Sequence, residues 1–395
     1  MPPPRIGSLA APEPRLSAGF DPVEQEADLV VVVLAPGLDE ADGTALADAL
    51  RLVSDAARRS ALLDAVVLRL RIPDGRGVAD VLVALSGDAR VALAGPSRVY
   101  RAQGGATPFA LQRLGLAERG ADRDAHADGG GVVVAVIDTA PDLGHPMLRA
   151  ADIRLESVLD APTPMAEDHG TQMVGLIAGG APLPGAAPGA SIVAIAAFAS
   201  TRDDAQPRSA TFTLVAALDA AAAAGAGIVS MSFAGGEDAL VARALSALAE
   251  RDALLVAAVG NGGPDAPPAH PAAHPDVIGV TATDHRDRAY EQAGRGVHVE
   301  LAAPGVDLPA PATGRRYVIG SGTSLATAYV AAAAALARAA HPISDARTVR
   351  EALARTSDDL GAPGRDPTFG YGLAAPLGAI VRLEQIGGAT ATRSR

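Results

Sequence analysis

The chain has 395 residues, 49% hydrophobic and 20% charged, a balance that builds a globular core and leaves room for more than one domain. Its 45 acidic and 33 basic residues give a net charge of -12 with no Lys/Arg cluster, which argues against nucleic acid or an acidic membrane surface as partner. The absence of cysteine excludes disulfides, thiolate metal sites and a cysteine nucleophile, and leaves the compartment open.

Residues 1–27 are proline-rich with mixed charges and read as a disordered leader; no signal-peptide pattern is visible. From Asp28 the pattern changes to a strand over LVVVVLA, a helix from Gly43 to about Asp64, and a second strand over AVVLRLRI. A helix over GVADVLVALSG and a strand over RVALAG then complete a small βαββαβ or βαβαβ unit, ending at the linker-like RAQGGATP. The reading therefore divides the chain into 28–105, 106–385 and a flexible tail at 386–395.

Beyond the linker, short apolar runs recur at VVVAVID, IVAIAAF, GIVSMSF, LLVAAVG and DVIGVTA, with helical stretches at 211–224 and 238–250. Strands apolar on both faces, alternating with helices, predict an α/β fold: a doubly wound, mostly parallel sheet. The apolar runs, the alanine-rich YVAAAAALARAA included, are too short or too rich in alanine to predict a membrane span.

In such sheets ligands gather outside the carboxyl ends of the strands, so the residues following each strand carry the interest. Asp138 follows VVVAVI and can be a turn former or a buried carboxylate facing the crevice. His169 opens a small-residue helix, where imidazole is a poor cap and a poor core residue. Asn261 in GNGG reads either as a positive-φ turn residue or as an amide donor for a developing oxyanion. Ser324 in GSGTS stands at the start of a helix running to about Ala340, where a lone serine reads as a cap. Together these residues supply a nucleophile, a base, a carboxylate to orient the base, and a preorganised donor.

The order Asp138, His169, Ser324 is the order found in subtilisins, and differs from that of chymotrypsin and of the α/β-hydrolases. The blocks VAVIDT, DHGTQMVGLIAG, IVSMSF, AAVGNGG, HPDVIGVTA, LAAPGV, GSGTSLATAYVA and FGYGL resemble, in order, those of the subtilisin-like serine protease family. The resemblance covers about 130–380 and implies a serine endopeptidase acting on polypeptides. It implies Ser324 as nucleophile, His169 as general base and then acid, Asp138 as orienting carboxylate, and Asn261 with the Ser324 amide as oxyanion hole. It also implies that Ser232, Phe233 and Ala234 form an edge strand for extended substrate, with Ala258, Val259 and Gly260 as a further pocket wall. The stretch ALSGDARVALAGPSRVYRAQ is similar to the end of the ferredoxin-like propeptides of the family, which implies that residues 28–105 are an inhibitory domain of a self-processed zymogen, cut between about Tyr100 and Thr107. An extracytoplasmic setting is what the family resemblance implies.

Several positions depart from the family pattern: Ala140, Pro141, Gln172, Ala328, Tyr329 and Ala332. None is a catalytic group, so activity is expected, with Pro141 and Tyr329 as places where loop or subsite geometry could change. No cofactor is expected; calcium is common in the family, yet no ligand cluster stands out, and without HExxH or cysteine a zinc site is not expected. GSGTS lacks a P-loop lysine, DGGG precedes its strand rather than following it, and no G-x-S-x-G elbow is present. The alternative is a catalytically inactive subtilisin-like scaffold or binding module.

Overall fold

The computed structural model describes residues 25–60, 63–98, 109–117, 128–159, 165–200 and 207–393. The chain divides into two compact units between Gly104 and Gly105. The leader up to residue 24 and the expected cleavage segment at 100–107 lie outside the described residues.

The first unit runs β1 (Gln25–Leu34), α1 (Glu40–Ala49), β2 (Val53–Ser60), β3 (Ala65–Arg71), α2 (Val78–Ser86) and β4 (Val91–Arg98). Its antiparallel sheet has the order β2-β3-β1-β4, a ferredoxin-like βαββαβ arrangement, which excludes the βαβαβ alternative. Two boundaries differ from the sequence reading. The first strand begins at Gln25, inside the expected leader, and the expected long helix ends at Ala49. Asp39 starts that helix with a capping box, accepting from the Ala41 and Asp42 amides while Asp42 accepts from the Asp39 amide. Arg51 then adopts φ 55°, and the chain returns as β2, paired with β3 from Val53↔Arg71 to Ser60↔Ala65. That pairing is non-local, so a local helix pattern cannot reveal it.

The second unit runs α3 (Phe109–Arg113), β5 (Val133–Asp138), β6 (Ile153–Ser157), α4 (Asp168–Ala178), β7 (Ser191–Ala196), α5 (Thr211–Ala223), β8 (Ile228–Met231), α6 (Ala239–Ala249) and β9 (Leu254–Ala258). It continues with β10 (Val277–Thr283), β11 (Val299–Pro304), β12 (Leu308–Ala312), β13 (Arg316–Gly320), α7 (Thr323–Ala340), α8 (Ala346–Thr356) and α9 (Pro376–Arg393). Seven parallel strands form one sheet in the order β11-β10-β9-β8-β5-β7-β6. The expected doubly wound α/β architecture is therefore the one observed.

Alternate residues of β5 face opposite layers, as strand periodicity requires. Val134 and Val136 pack with Ala326, Val330 and Leu336 of α7, whereas Ala135 and Ile137 pack with Leu218 of α5 and Leu245 of α6. Helix α7 passes the length and hydropathy criteria for a membrane span, but its 18-residue window is 83% buried, and it serves as the central core helix of this unit. Small side chains let it lie close to the sheet, which is why the alanine block is there. Helix α9 runs through residues 386–393, where the sequence predicts a flexible tail; Ala379 and Leu383 anchor its apolar stripe and each further turn adds its own backbone bonds.

Strand order reverses around β5: β7 and β6 lie on one side of it, and β8 onward on the other. The carboxyl end of β5 is thus the switch point, where the sheet's crevice opens.

Candidate active site

Asp138 is the last residue of β5, and its side chain is almost fully enclosed. Its Oδ1 accepts from the Thr139 amide at 2.7 Å and from Thr139 Oγ1 at 3.2 Å. His169, the second residue of α4, places Nδ1 at 2.7 Å from Oδ1 and 2.9 Å from Oδ2 of the same carboxylate. A carboxylate only accepts, so Nδ1 carries a proton, and in the neutral ring Nε2 keeps its lone pair. Gly170 makes this approach possible: a Cβ there would lie 2.0 Å from the Thr139 carbonyl oxygen, and the Gly170 amide donates to Thr139 Oγ1 at 2.9 Å. The start of α4 therefore rests directly on the end of β5.

Desolvation opposes charge on His169, but the Asp138 carboxylate, through its field and its hydrogen bond, and Glu167 nearby hold the ring above the ordinary imidazole value of 6.5. With 39% of its side chain exposed, the ring can be reached from solvent.

Ser324 is the second residue of α7, whose N-cap is Gly322 and carries no side-chain cap bond. The capping role read for a lone serine is therefore not what this hydroxyl does. Ser324 Oγ donates to the Ser232 carbonyl at 3.2 Å, and Ser232 Oγ donates to the Ser324 carbonyl at 3.2 Å. The two segments are thus stapled together, and in this rotamer the Ser324 hydroxyl bonds to Ser232 rather than to His169. The Ser324 amide belongs to the first helical turn, whose N–H groups have no intrahelical acceptor.

Asn261 follows Gly260, and it is Gly260 that takes the positive φ of 89°, correcting the turn-former reading of the asparagine. Asn261 Oδ1 accepts from the Thr323 amide at 3.0 Å and from Thr323 Oγ1 at 3.1 Å. Because a backbone N–H can only donate, the facing atom must be the amide oxygen, and the NH2 group is left to donate elsewhere. The four segments are thus bonded as two separate pairs, Asp138 with His169 and Asn261 with Thr323, the residue before Ser324.

The expected edge strand at Ser232, Phe233 and Ala234 is not a strand: β8 ends at Met231, where the chain turns out of the sheet to make the serine staple. Phe233 instead packs on Phe198, ring centroids 5.0 Å apart, and with Ala234 borders a cavity of about 350 Å³ that Leu214, Val241 and Leu245 also line. Ala258 and Val259 are only 2% exposed, so their side chains belong to the core and only Gly260 of that segment reaches towards the surface. Ala328, Tyr329 and Ala332 are likewise buried in α7; burial pushes the Tyr329 hydroxyl pKa up, and the ring packs in the core.

A second Ser/His/Asp group, which sequence reasoning did not single out, forms from Ser246, His274 and Asp276. Here the Asp276 amide donates to His274 Nδ1 at 3.2 Å, so the ring proton sits on Nε2, facing Ser246 Oγ at 3.5 Å. Ser246 Oγ donates to Asp276 Oδ2 at 3.1 Å. The ring therefore cannot take the serine proton, and the polarity is the reverse of the pair at Asp138. Among the described residues no group of three or more His, Asp or Glu side chains is arranged to hold a metal ion.

The family model for subtilases matches residues 129–372. Minor extracellular protease Epr of Bacillus subtilis (strain 168) is 34% identical over 209 residues, 52% of this chain and 32% of its own length, so the chain spans about a third of that relative. Thermitase of Thermoactinomyces vulgaris is 32% identical over 247 residues, 60% of this chain and 85% of thermitase. A psychrophilic subtilisin-like protease, Apa1, from the Antarctic psychrotroph Pseudoalteromonas sp. AS-11 superposes with a TM-score of 0.62 over 71% of this chain and 98% of its own, at 20% identity, a likeness of fold. With well over half of its length matching the family model, and thermitase matched across most of its extent, the chain belongs to the subtilase family.

Proposed function

We propose that the chain is a serine endopeptidase that hydrolyses peptide bonds through Asp138, His169 and Ser324. The observation that carries the reading is the orientation of His169: Nδ1–H is committed to Asp138, which leaves Nε2 of the neutral ring free to act as a base towards Ser324. Ser324 Oγ turns from the Ser232 carbonyl to Nε2 as substrate binds, in keeping with catalytic hydrogen bonds that tighten only in the complex. The Oγ–carbon bond forms as Nε2 takes the hydroxyl proton, and Asp138 stabilises the imidazolium. Asn261 Nδ2 and the Ser324 amide receive the oxyanion. Collapse of the tetrahedral intermediate breaks the C–N bond, His169 returns the proton to the leaving amine, and water repeats the sequence to release the acid.

This chemistry draws on side chains and water alone, so the reading assigns no cofactor; structural calcium is left without ligands. Phe233, Ala234 and Gly260 are read as substrate contacts, with Ser232, Ala258 and Val259 supporting them from behind. Residues 28–105 are read as a propeptide-like inhibitory domain, supported by the βαββαβ topology of the first unit, with 106–385 as the peptidase domain.

The rival reading, an inactive scaffold, draws on the Ser324–Ser232 bond in place of a Ser324–His169 bond. Labelling with a serine-directed fluorophosphonate, compared with Ser324→Ala, separates the two: labelling that vanishes in the variant supports the protease, and none after removal of residues 1–105 supports the scaffold. Intact-mass analysis tests self-processing. A species that keeps its N-terminus while hydrolysing peptides freely would overturn the zymogen reading.

A further inference from the structure

The hairpin of β12 and β13 leads straight into the nucleophile: β13 ends at Gly320, and Ser324 follows four residues later. The turn of this hairpin is tied to both other segments of the triad. Asp168, the residue before His169, accepts from the Thr313 amide at 2.9 Å and Thr313 Oγ1 at 2.6 Å, and Arg316 Nη2 donates to both of its oxygens at 2.9 Å. Asp142, four residues beyond Asp138, accepts from the Gly314 amide at 2.9 Å. The Asp142 amide donates in turn to Thr171 Oγ1 of α4, also at 2.9 Å.

His145 adds a buried strut. The Met147 amide donates to its Nδ1 at 3.2 Å, so Nε2 carries the proton that faces the Arg316 carbonyl at 3.2 Å, and Tyr317 packs edge-on against the ring at 5.2 Å. Below the turn, the Pro311 ring fills the space beside Gly175, where a Cβ would lie 2.3 Å from Pro311 Cγ, so α4 lies directly on β12. A single turn, 313–316, thus touches the loop after Asp138, the residue before His169 and the strand before Ser324.

We propose that the Thr313–Arg316 turn is a clasp that sets the position of Ser324 against His169, with Asp168 and Arg316 as positioning residues. The proposal rests on the triad reading above. The Asp168–Arg316 pair is largely exposed, so its Coulombic attraction contributes little. What it supplies is direction: three donor groups of one turn converge on one carboxylate that adjoins the base in sequence.

Steady-state peptide hydrolysis and fluorophosphonate labelling of the full chain test this with Asp168→Ala, Asp168→Asn, Arg316→Ala and Arg316→Lys. Asp168→Ala is expected to lower kcat and the labelling rate about tenfold, the equivalent of about 1.4 kcal/mol, with KM held within about twofold. The acid limb of its pH profile should keep its midpoint, because the field on His169 comes from Asp138 and Glu167. Asp168→Asn, which still accepts from Thr313, should fall between, and Arg316→Lys should recover most of what Arg316→Ala loses. Unchanged kcat and labelling in Asp168→Ala, a kcat loss that follows the loss of thermal stability, or no recovery by lysine would each overturn the clasp. If Asp168→Ala does not fold, the Arg316 pair decides by the same criteria. A wild-type chain that neither labels nor hydrolyses overturns the protease reading and the clasp with it; an active wild type with an unaffected Asp168→Ala overturns the clasp alone.

Discussion

Gly170→Ala should separate catalysis from stability at one atom. The added methyl carbon would stand 2.0 Å from the Thr139 carbonyl oxygen, where ordinary contact begins at 3.4 Å, so α4 and β5 must part by about 1.4 Å. The backbone fixes where a Cβ stands, and its nearest neighbours are the carbonyl oxygen and carbon of Thr139, so no rotamer change relieves the clash. The Gly170–Thr139 bond of 2.9 Å breaks, and the His169–Asp138 distance of 2.7 Å opens towards 4 Å if the whole shift falls there. That is beyond hydrogen-bonding range, about 3.2 Å at most for a good N–H···O bond. Overpacking of this kind costs about 1–3 kcal/mol in stability, whereas a misplacement of about 1 Å in a catalytic array costs roughly 100-fold in rate. The variant should therefore melt several degrees lower, at about 2–4 °C per kcal/mol for a unit of this size, yet lose at least roughly 100-fold in kcat/KM when assayed well below its melting temperature. Gly387→Ala, in α9 with nothing within 4 Å, serves as the control. It should gain up to about 1 kcal/mol of helix stability and leave activity unchanged. Wild-type kcat/KM in Gly170→Ala would refute the reasoning.

The raised pKa of His169 has two consequences of opposite sign. Activity needs the neutral ring, so kcat/KM should fall as the pH drops through a value above 6.5, and Asp138→Asn should move that midpoint down. The same shift adds stability below the unfolded value near 6.5, which is lost as the pH rises through the folded value; thermal melts across this range read it directly. Asn261→Ala should lower turnover by roughly 100- to 1,000-fold, the loss known for this type of donor in a subtilisin. Asn261→Asp should lose at least as much, because it can still accept from Thr323 but has no N–H to offer; a rate near wild type for either, by steady-state assay, would remove Asn261 from the oxyanion site. Leu336→Ala, at a fully buried position of α7, should cost about 2–5 kcal/mol by calorimetry.

Several features were legible without coordinates because they are local. The five apolar runs of the second unit are strands, since continuous burial on both faces leaves its mark in consecutive residues. Asp138, His169 and Ser324 stand at a strand end or helix start and Asn261 in the loop that follows β9, where a polar residue without a core role draws attention. The elements that the sequence did not show depended on partners elsewhere: β2, read as part of a helix, forms through β3, and the proline-bearing β12, where no element was expected, forms through β13, so neither carries a clear strand pattern of its own.

By itself the sequence determined the parallel architecture, the order of the chemical groups and their family resemblance, because burial patterns and residue types are written one position at a time. Only the tertiary structure decided which groups bond. It gave His169 a proton on Nδ1 and His274 one on Nε2, from the same residue types in different surroundings. It held Ser324 by Ser232 and brought Asp142, Asp168 and the Thr313–Arg316 turn into one network. The direction of a hydrogen bond and the clearance beside Gly170 depend on where two remote segments meet in space, and residue order alone does not encode that distance.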